Sequence, residues 1–316
     1  MPDPAAVIRE TLLGEWSQAV PASVPVLVEH LHQRHGSAVG AVLFYGSCLR
    51  SGSDREGILD LYLLVDSYAA CYPQRPLFAL ANSLLPPNVF YLEIPIAGRK
   101  VGAKYAIMSF RDFAEAAGPR ALLPAIWARF SQPTALVWAR DPTSRRREDA
   151  LIRAVATMAL HAAAVADGPV DPTAFWSAGY ARSYAAEWRI EGSARGAGLV
   201  RPSERFTRLL RPALELAGVP YVEDQGNRVR ILLDEKRRRQ AEGFWRKAGL
   251  ASRLHMIPRL AKAAFTFEGS LDYALWKVER HSGVRLKATT WQRRHPLVAA
   301  LPLVWRAWRR GAFRRA

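Results

Sequence analysis

The sequence predicts an α+β protein: a first part with a mixed sheet and interleaved helices, then a mainly helical second part, then a basic amphipathic C-terminus. Three observations carry this expectation. Strand-like apolar runs lie at 39–45, 58–66 and 88–96, separated by polar loops or a short helical pattern. An Ala-rich run at 151–166 and the stretch "FWSAGYARSYAAEWRIEG" at 175–192 favour helix. Residues 281–316 hold nine Lys or Arg and no acid.

Composition bounds the possibilities. With 316 residues, and about 150 per domain as a prior, the chain makes one large or two medium domains. Half the residues are hydrophobic and 23% are charged, which excludes disorder along most of the length. Cys48 and Cys71 allow one disulfide at most and no four-cysteine zinc site, which favours a reducing compartment. No basic start leads into an apolar core, and nowhere do ~20 consecutive apolar residues occur without charge, so neither secretion nor a membrane span is expected. A net charge of +17 favours polyanions as partners: nucleotides, nucleic acid or an anionic membrane.

In chain order, residues 6–35 read as one or two helices broken at Pro21, with Val24, Val26, Leu27 and Leu31 on an apolar side. A strand from Val39 to Tyr45 delivers its end to Gly46 and Ser47. The loop "CLRSGSDREG" leads to "ILDLYLLVD", whose period of two puts Asp60 and Tyr62 on one side. A helix at Pro76–Ser83 and the strand "NVFYLEIPI" follow, bracketed by Pro86, Pro87 and Pro95. "KYAIMSFRDFAE" reads as a strand running into a helix that starts near Ser109, with Asp112 three residues after that cap. The first domain is expected to cover 1–145, the second, mainly helical or winged-helix-like, 146–260, and the third segment 261–316 to be helical and available as a cleft cover or membrane-surface anchor. Residues 201–260 are expected to carry a further helical segment, the charged run "DEKRRRQ" and Pro258.

A small pair of residues after a strand, a short loop and a carboxylate on the next strand is an arrangement suited to a nucleoside triphosphate and its metal. Small residues let phosphate oxygens approach backbone N–H groups, and the carboxylate offers hard oxygen to Mg²⁺. Gly46, Ser47 and Asp60 stand in that order, with twelve residues between the last two. The plainer alternative makes Gly46 and Ser47 a turn only and Asp60 a solubilising residue of an edge strand.

The stretch "FYGSCLRSGSDREGILDLYLLV" resembles the signature of the polymerase-beta-like nucleotidyltransferase superfamily, a GS turn followed by an acid-x-acid pair on a strand. Tyr62 stands where the second acid is expected. A narrower resemblance, over roughly residues 40–140, is to the mitochondrial-type phosphatidate cytidylyltransferases. It rests on "YGS", "DLY" at 60–62, "VFYLEIP" at 89–95, "KYAIMSFRDF" at 104–113 and, loosely, "ARFSQPTALVWA" at 128–139, with "KYA" in place of "KYG" and "GSC" in place of "GSG". The resemblance implies that CTP and phosphatidic acid give CDP-diacylglycerol and pyrophosphate. It implies Asp60 as a Mg²⁺ ligand, Gly46, Ser47 and Arg50 on the triphosphate, and Lys104 on the triphosphate or the lipid phosphate, unless Lys104 is a snorkelling surface lysine.

Glu93, on the same face as Tyr91, is a candidate later-strand metal ligand, and Asp54 a loop carboxylate able to compensate for Tyr62; Glu56 lies in the same loop, and all three are open to plain solvation. Cys48 reads as packing. Tyr180, Tyr184 and Glu187 at helical spacing read first as core, with Arg182 and Arg189 as alternative cleft residues. In the segment 264–283, Lys277 and Arg280 are candidate phosphate contacts beside Asp272, Tyr273, Trp276, Glu279 and His281. "PLVAALPLVWRAWRRGAFRR" is too short to span a bilayer and combines Trp305, Trp308 and Phe313 with arginines, as a surface-lying anchor does, or packs on the protein itself. The expected protein is therefore cytoplasmic and peripheral on the inner face of a membrane, with no stable nucleic-acid partner. Two alternatives stay open: nucleotidyl transfer to RNA, protein or a small molecule, and a non-catalytic membrane-associated scaffold.

Overall fold

The computed structural model describes residues 2–55, 57–187, 199–200, 203–266, 275, 286, 288–294, 302, 305–306 and 309. Two helices open the chain, α1 (Pro4–Trp16) and α2 (Ser23–His35), with the break around Pro21 that the sequence predicts. Asp3 caps α1, accepting from the Ala5 N–H at 3.1 Å.

The central sheet has five strands: β1 (Val39–Tyr45), β2 (Leu59–Val65), β3 (Asn88–Ile96), β4 (Arg99–Ser109) and β5 (Thr134–Ala139), in the order β3-β4-β2-β1-β5. β2 and β4 are parallel and every other pairing is antiparallel, so the sheet is mixed. Short helices lie between the strands: α3 (Ser47–Ser51), α4 (Tyr68–Cys71), α5 (Pro76–Leu84), α6 (Phe110–Ala116) and α7 (Trp127–Phe130). Ser109 caps α6 as expected, accepting from the Asp112 N–H at 3.0 Å.

Alternation sorts the side chains of β2 onto two cores. Leu59, Leu61, Leu63 and Val65 face α2 and α4, together with Val24, Leu27, Leu31, Phe90, Tyr105 and the buried Cys48. Tyr62 and Leu64 face the other way, onto Phe113, Trp127, Phe130 and the helices of the second part. That second core runs without a break across the expected boundary at residue 145, joining Ile8 and Leu12 of α1 to Leu151, Trp176, Leu209 and Trp245.

The second part comprises α8 (Arg146–Ala163), α9 (Pro172–Ala186), α10 (Glu204–Leu216) and α11 (Glu235–Thr266), with α12 (Thr290–Arg294) beyond. It also holds a small antiparallel sheet, β6 (Pro169–Val170), β8 (Arg228–Ile231) and β7 (Tyr221–Asp224), within the part expected to be mainly helical or winged-helix-like. The hairpin turns at Gly226 and Asn227, both at positive φ, and Val229 and Ile231 are buried while Arg228 and Arg230 point outward. Its strands are four residues each, short enough for their charges to read as a helix surface. α11 continues through Pro258.

Candidate functional site

The registers of four strand pairs place Thr134, Tyr45, Asp60, Lys104 and Tyr91 in one row across the whole sheet, one residue per strand. Directly paired residues share a face, so Asp60 lies between Tyr45 and Lys104 on the Tyr62 side. The candidate site residues Asp60 and Lys104 come together because β2 and β4 run parallel in that register.

Gly46 fixes the approach to Asp60 from the turn. Its backbone, at φ +93° and ψ −159°, occupies a region open to glycine almost alone. A methyl group there would stand 2.8 Å from Asp60 Oδ2, so the carboxylate leans on the bare glycine backbone. Ser47 is exposed and opens α3, in which the Arg50 N–H donates to the Gly46 carbonyl at 3.2 Å. The Arg50 guanidinium reaches over to Gln132 Oε1 at 3.4 Å.

Tyr62, in the place of a second acid, belongs to the core. It is 1% exposed, its ring centroid lies 5.0 Å from that of Phe130 and 5.8 Å from that of Phe113, and its hydroxyl meets Met108 Sδ at 3.5 Å. Burial pushes its hydroxyl up to about 12.

The other candidate carboxylates lie apart from Asp60. Asp54 accepts from Ser23 of α2 and pairs with Arg99 at 2.7 Å, on the α2 side of the sheet and thus across it from Asp60. The Ser23 hydroxyl first, with Arg99 beside it, holds the Asp54 carboxyl below its usual range. Glu93 shares the face of Asp60, but on the edge strand, where it accepts from the Tyr91 hydroxyl at 3.2 Å and pairs with Lys100 at 2.9 Å. Asp60, Asp54 and Glu93 are therefore not assembled into one ligand set, and among the described residues no three His, Cys, Asp or Glu side chains group as a metal cage. The single carboxylate of Asp60, with Lys104 opposite it, still fits the way Mg²⁺ binds through one or two carboxylates plus substrate phosphates. Glu56, Arg189, Lys277, Arg280 and their neighbours Asp272, Tyr273, Trp276, Glu279 and His281 lie outside the described residues.

Two arginines that the sequence reading did not single out complete the electrostatics. Arg129, on α7, lies with its guanidinium carbon 5.6 Å from the Tyr45 ring centroid. Burial works against its charge, yet Tyr45, Glu187, Tyr62 and Asp60 outweigh it and hold Arg129 above the ordinary arginine range. Arg259, on α11, is pushed down by burial and by Arg129, against the opposing pull of Tyr62 and Glu187. One turn on, burial and then Arg259 bring Lys262 down to about 8, and its ammonium donates to the carbonyls of Leu85 and of Pro87, the latter at 2.6 Å. Arg129 falls inside "ARFSQPTALVWA", but nothing in its spacing marks it; only the packing of α7 under β1 and β2 does.

Tyr180 is core, as its spacing predicts: it is buried, and its hydroxyl meets that of Ser131 at 3.0 Å. Cys48 is also packing, its thiol 3.5 Å from the Ile58 carbonyl. The arrangement sets one carboxylate, Asp60, opposite Lys104 in the sheet and within electrostatic reach of Arg129, a combination suited to a polyphosphate and a hard divalent cation. Comparison with protein-family models gives no match, and neither does comparison with curated proteins.

Proposed function

We propose that this protein is a Mg²⁺-dependent nucleotidyltransferase of the polymerase-beta-like class that joins CTP to phosphatidic acid, forming CDP-diacylglycerol and pyrophosphate at a membrane surface. The observation that carries the reading is the Asp60 carboxylate leaning on Gly46 at the end of β1, a bare turn and a hard oxygen in one place. Gly46, Ser47 and Arg50 would hold the β and γ phosphates. Asp60 would hold Mg²⁺, which when bound neutralises charge on the triphosphate.

A lipid phosphate is already anionic at neutral pH, so its oxygen attacks the α-phosphorus without a strong base. The bond from that phosphorus to the bridging oxygen breaks, and pyrophosphate leaves with the electron pair. Lys104 and Arg129 would meet the charge that develops on the transferring group. In this reading the second part is a winged-helix-like domain, which the hairpin β7–β8 and its flanking helices support. No described helix is long and apolar enough to cross a membrane, which agrees with peripheral binding.

The test is incubation with Mg²⁺, each of four labelled nucleoside triphosphates and phosphatidic acid in mixed micelles. CTP should give a CDP-lipid, with Asp60→Asn inactive and Arg129→Met slower by about 10²–10³. Transfer to another acceptor instead, or no product from folded protein, overturns the reading; the second result without Mg²⁺-dependent nucleotide binding makes the protein a scaffold, consistent with Tyr62 at the second acid position.

A further inference from the structure

A cavity of about 790 Å³ lies on the Tyr62 side of the sheet, between the turn after α5, the segment from α6 to α7, and α11. Leu85, Leu122, Leu123 and Ile126 line it apolarly, Arg120, Arg153 and Arg259 supply its cations, and His255 also lines it. Its two acids are engaged: Asp112 accepts from the Tyr68 hydroxyl, and Glu115 pairs with Arg111 at 3.0 Å.

The cavity opens beside an unusual surface. Leu84 lines it and is also 75% exposed, and on the same helix Leu77 and Leu80 are 77% and 54% exposed. Spacings of three and four put these leucines on one face of α5. The opposite face holds the helix to the protein, through the part-buried Phe78 and the buried Asn82, whose amide donates to the Ile107 carbonyl at 3.1 Å. A surface helix normally turns polar groups outward, yet α5 is apolar on both sides, and from Pro73 to Leu92 the only charged residue is Arg75. On α11, Leu250 and Leu254 are exposed one turn apart, and Leu254 precedes the cavity-lining His255.

We propose that Leu77, Leu80 and Leu84, with Leu250 and Leu254, form the face by which this protein docks on an anionic lipid bilayer, with the cavity opening onto the membrane. Charge complementarity selects that occupant. Arg75 at the start of α5, Arg120 at the cavity and Arg253 on α11 are exposed around the leucines, as cations flank an interfacial helix that rests on anionic headgroups. A second copy of a chain with charge +17 would bring the same cations against each other. The proposal rests on the peripheral-membrane part of the function above and not on its chemistry, so it is tested by binding rather than turnover.

The full chain is sedimented with vesicles of phosphatidylcholine containing phosphatidylglycerol, as wild type, as Leu77→Ser/Leu80→Ser/Leu84→Ser and as a 290–316 deletion. The serine variant should partition at least about tenfold more weakly, because three apolar side chains no longer leave water. Separately, Leu80→Cys is labelled with an environment-sensitive dye, to which Cys48 and Cys71, 2% and 5% exposed, are closed. The emission should move to the blue on vesicles, a readout that holds even if the serine variant folds poorly. Unchanged partitioning of a folded serine variant, or no spectral shift, overturns the proposal. So does binding lost only in the deletion, which assigns docking to the C-terminus, or a dimer that the serines dissociate while vesicle binding persists.

Discussion

Gly46→Ala probes the contact on which the functional reading depends. Backbone at φ +93° and ψ −159° costs a residue with a side chain about 1–3 kcal/mol. The new methyl would also stand 2.8 Å from Asp60 Oδ2 and 3.5 Å from its Cγ, an overpacking that adds about 1–2 kcal/mol if Asp60 moves aside. The expected loss is thus about 3 kcal/mol. In an Asp60→Ala background the crowding oxygen and Cγ are gone and only the Cβ at 3.4 Å remains, so the second contribution vanishes while the first persists. Urea unfolding of wild type, both single variants and the double variant should therefore give a coupling of about 1 kcal/mol or more. Equal losses in both backgrounds would refute the contact between turn and carboxylate, and no loss at all would refute the glycine-only backbone.

Two further outcomes follow from the cores. Tyr62→Asp, which restores an acid-x-acid pattern, should lower stability by about 3 kcal/mol or more at pH 7, because the carboxylate replaces a ring packed among Tyr45, Phe113 and Phe130. Burial raises such a carboxyl above its unfolded value of about 3.9, so the deficit should shrink toward acid pH; Tyr62→Phe should cost about 1 kcal/mol or less, and a melting series over pH separates the two. His35 and His161 are both brought down to about 4 by burial, His161 with its ring stacked 3.8 Å from that of Phe244. Their stabilisation is complete above about pH 6.5 and is lost as pH falls toward 4, because the unfolded chain takes up these protons first. The slope approaches about 1.4 kcal/mol per pH unit for each, and His161→Phe, which keeps the stack, should remove half of it in urea titrations at stepped pH.

Much of the local structure was legible because it depends on neighbours in the chain. The alternation at 59–65 determined that Asp60 and Tyr62 share a side, and the run into Gly46 and Ser47 determined where β1 would end. The Ser109 cap was readable from its own spacing to Asp112. The small sheet of the second part was not, since strands of four residues carry too little pattern to compete with charged helix-like sequence around them.

The site divides along the same line. By itself the sequence determined a glycine turn, a carboxylate on the following strand and an excess of cations. Tertiary structure alone decided which carboxylates stand together: Asp54 is turned to the far side of the sheet by Ser23 and Arg99, and Glu93 is held at the edge strand by Tyr91 and Lys100. It also decided that Lys104 stands opposite Asp60 in the register of β2 and β4, and that Arg129 lies close enough to interact with both Asp60 and Arg259. The physical reason is that strand register and helix packing are collective. They follow from burying two apolar faces of one sheet at once, and no local spacing encodes which distant residue that burial brings alongside.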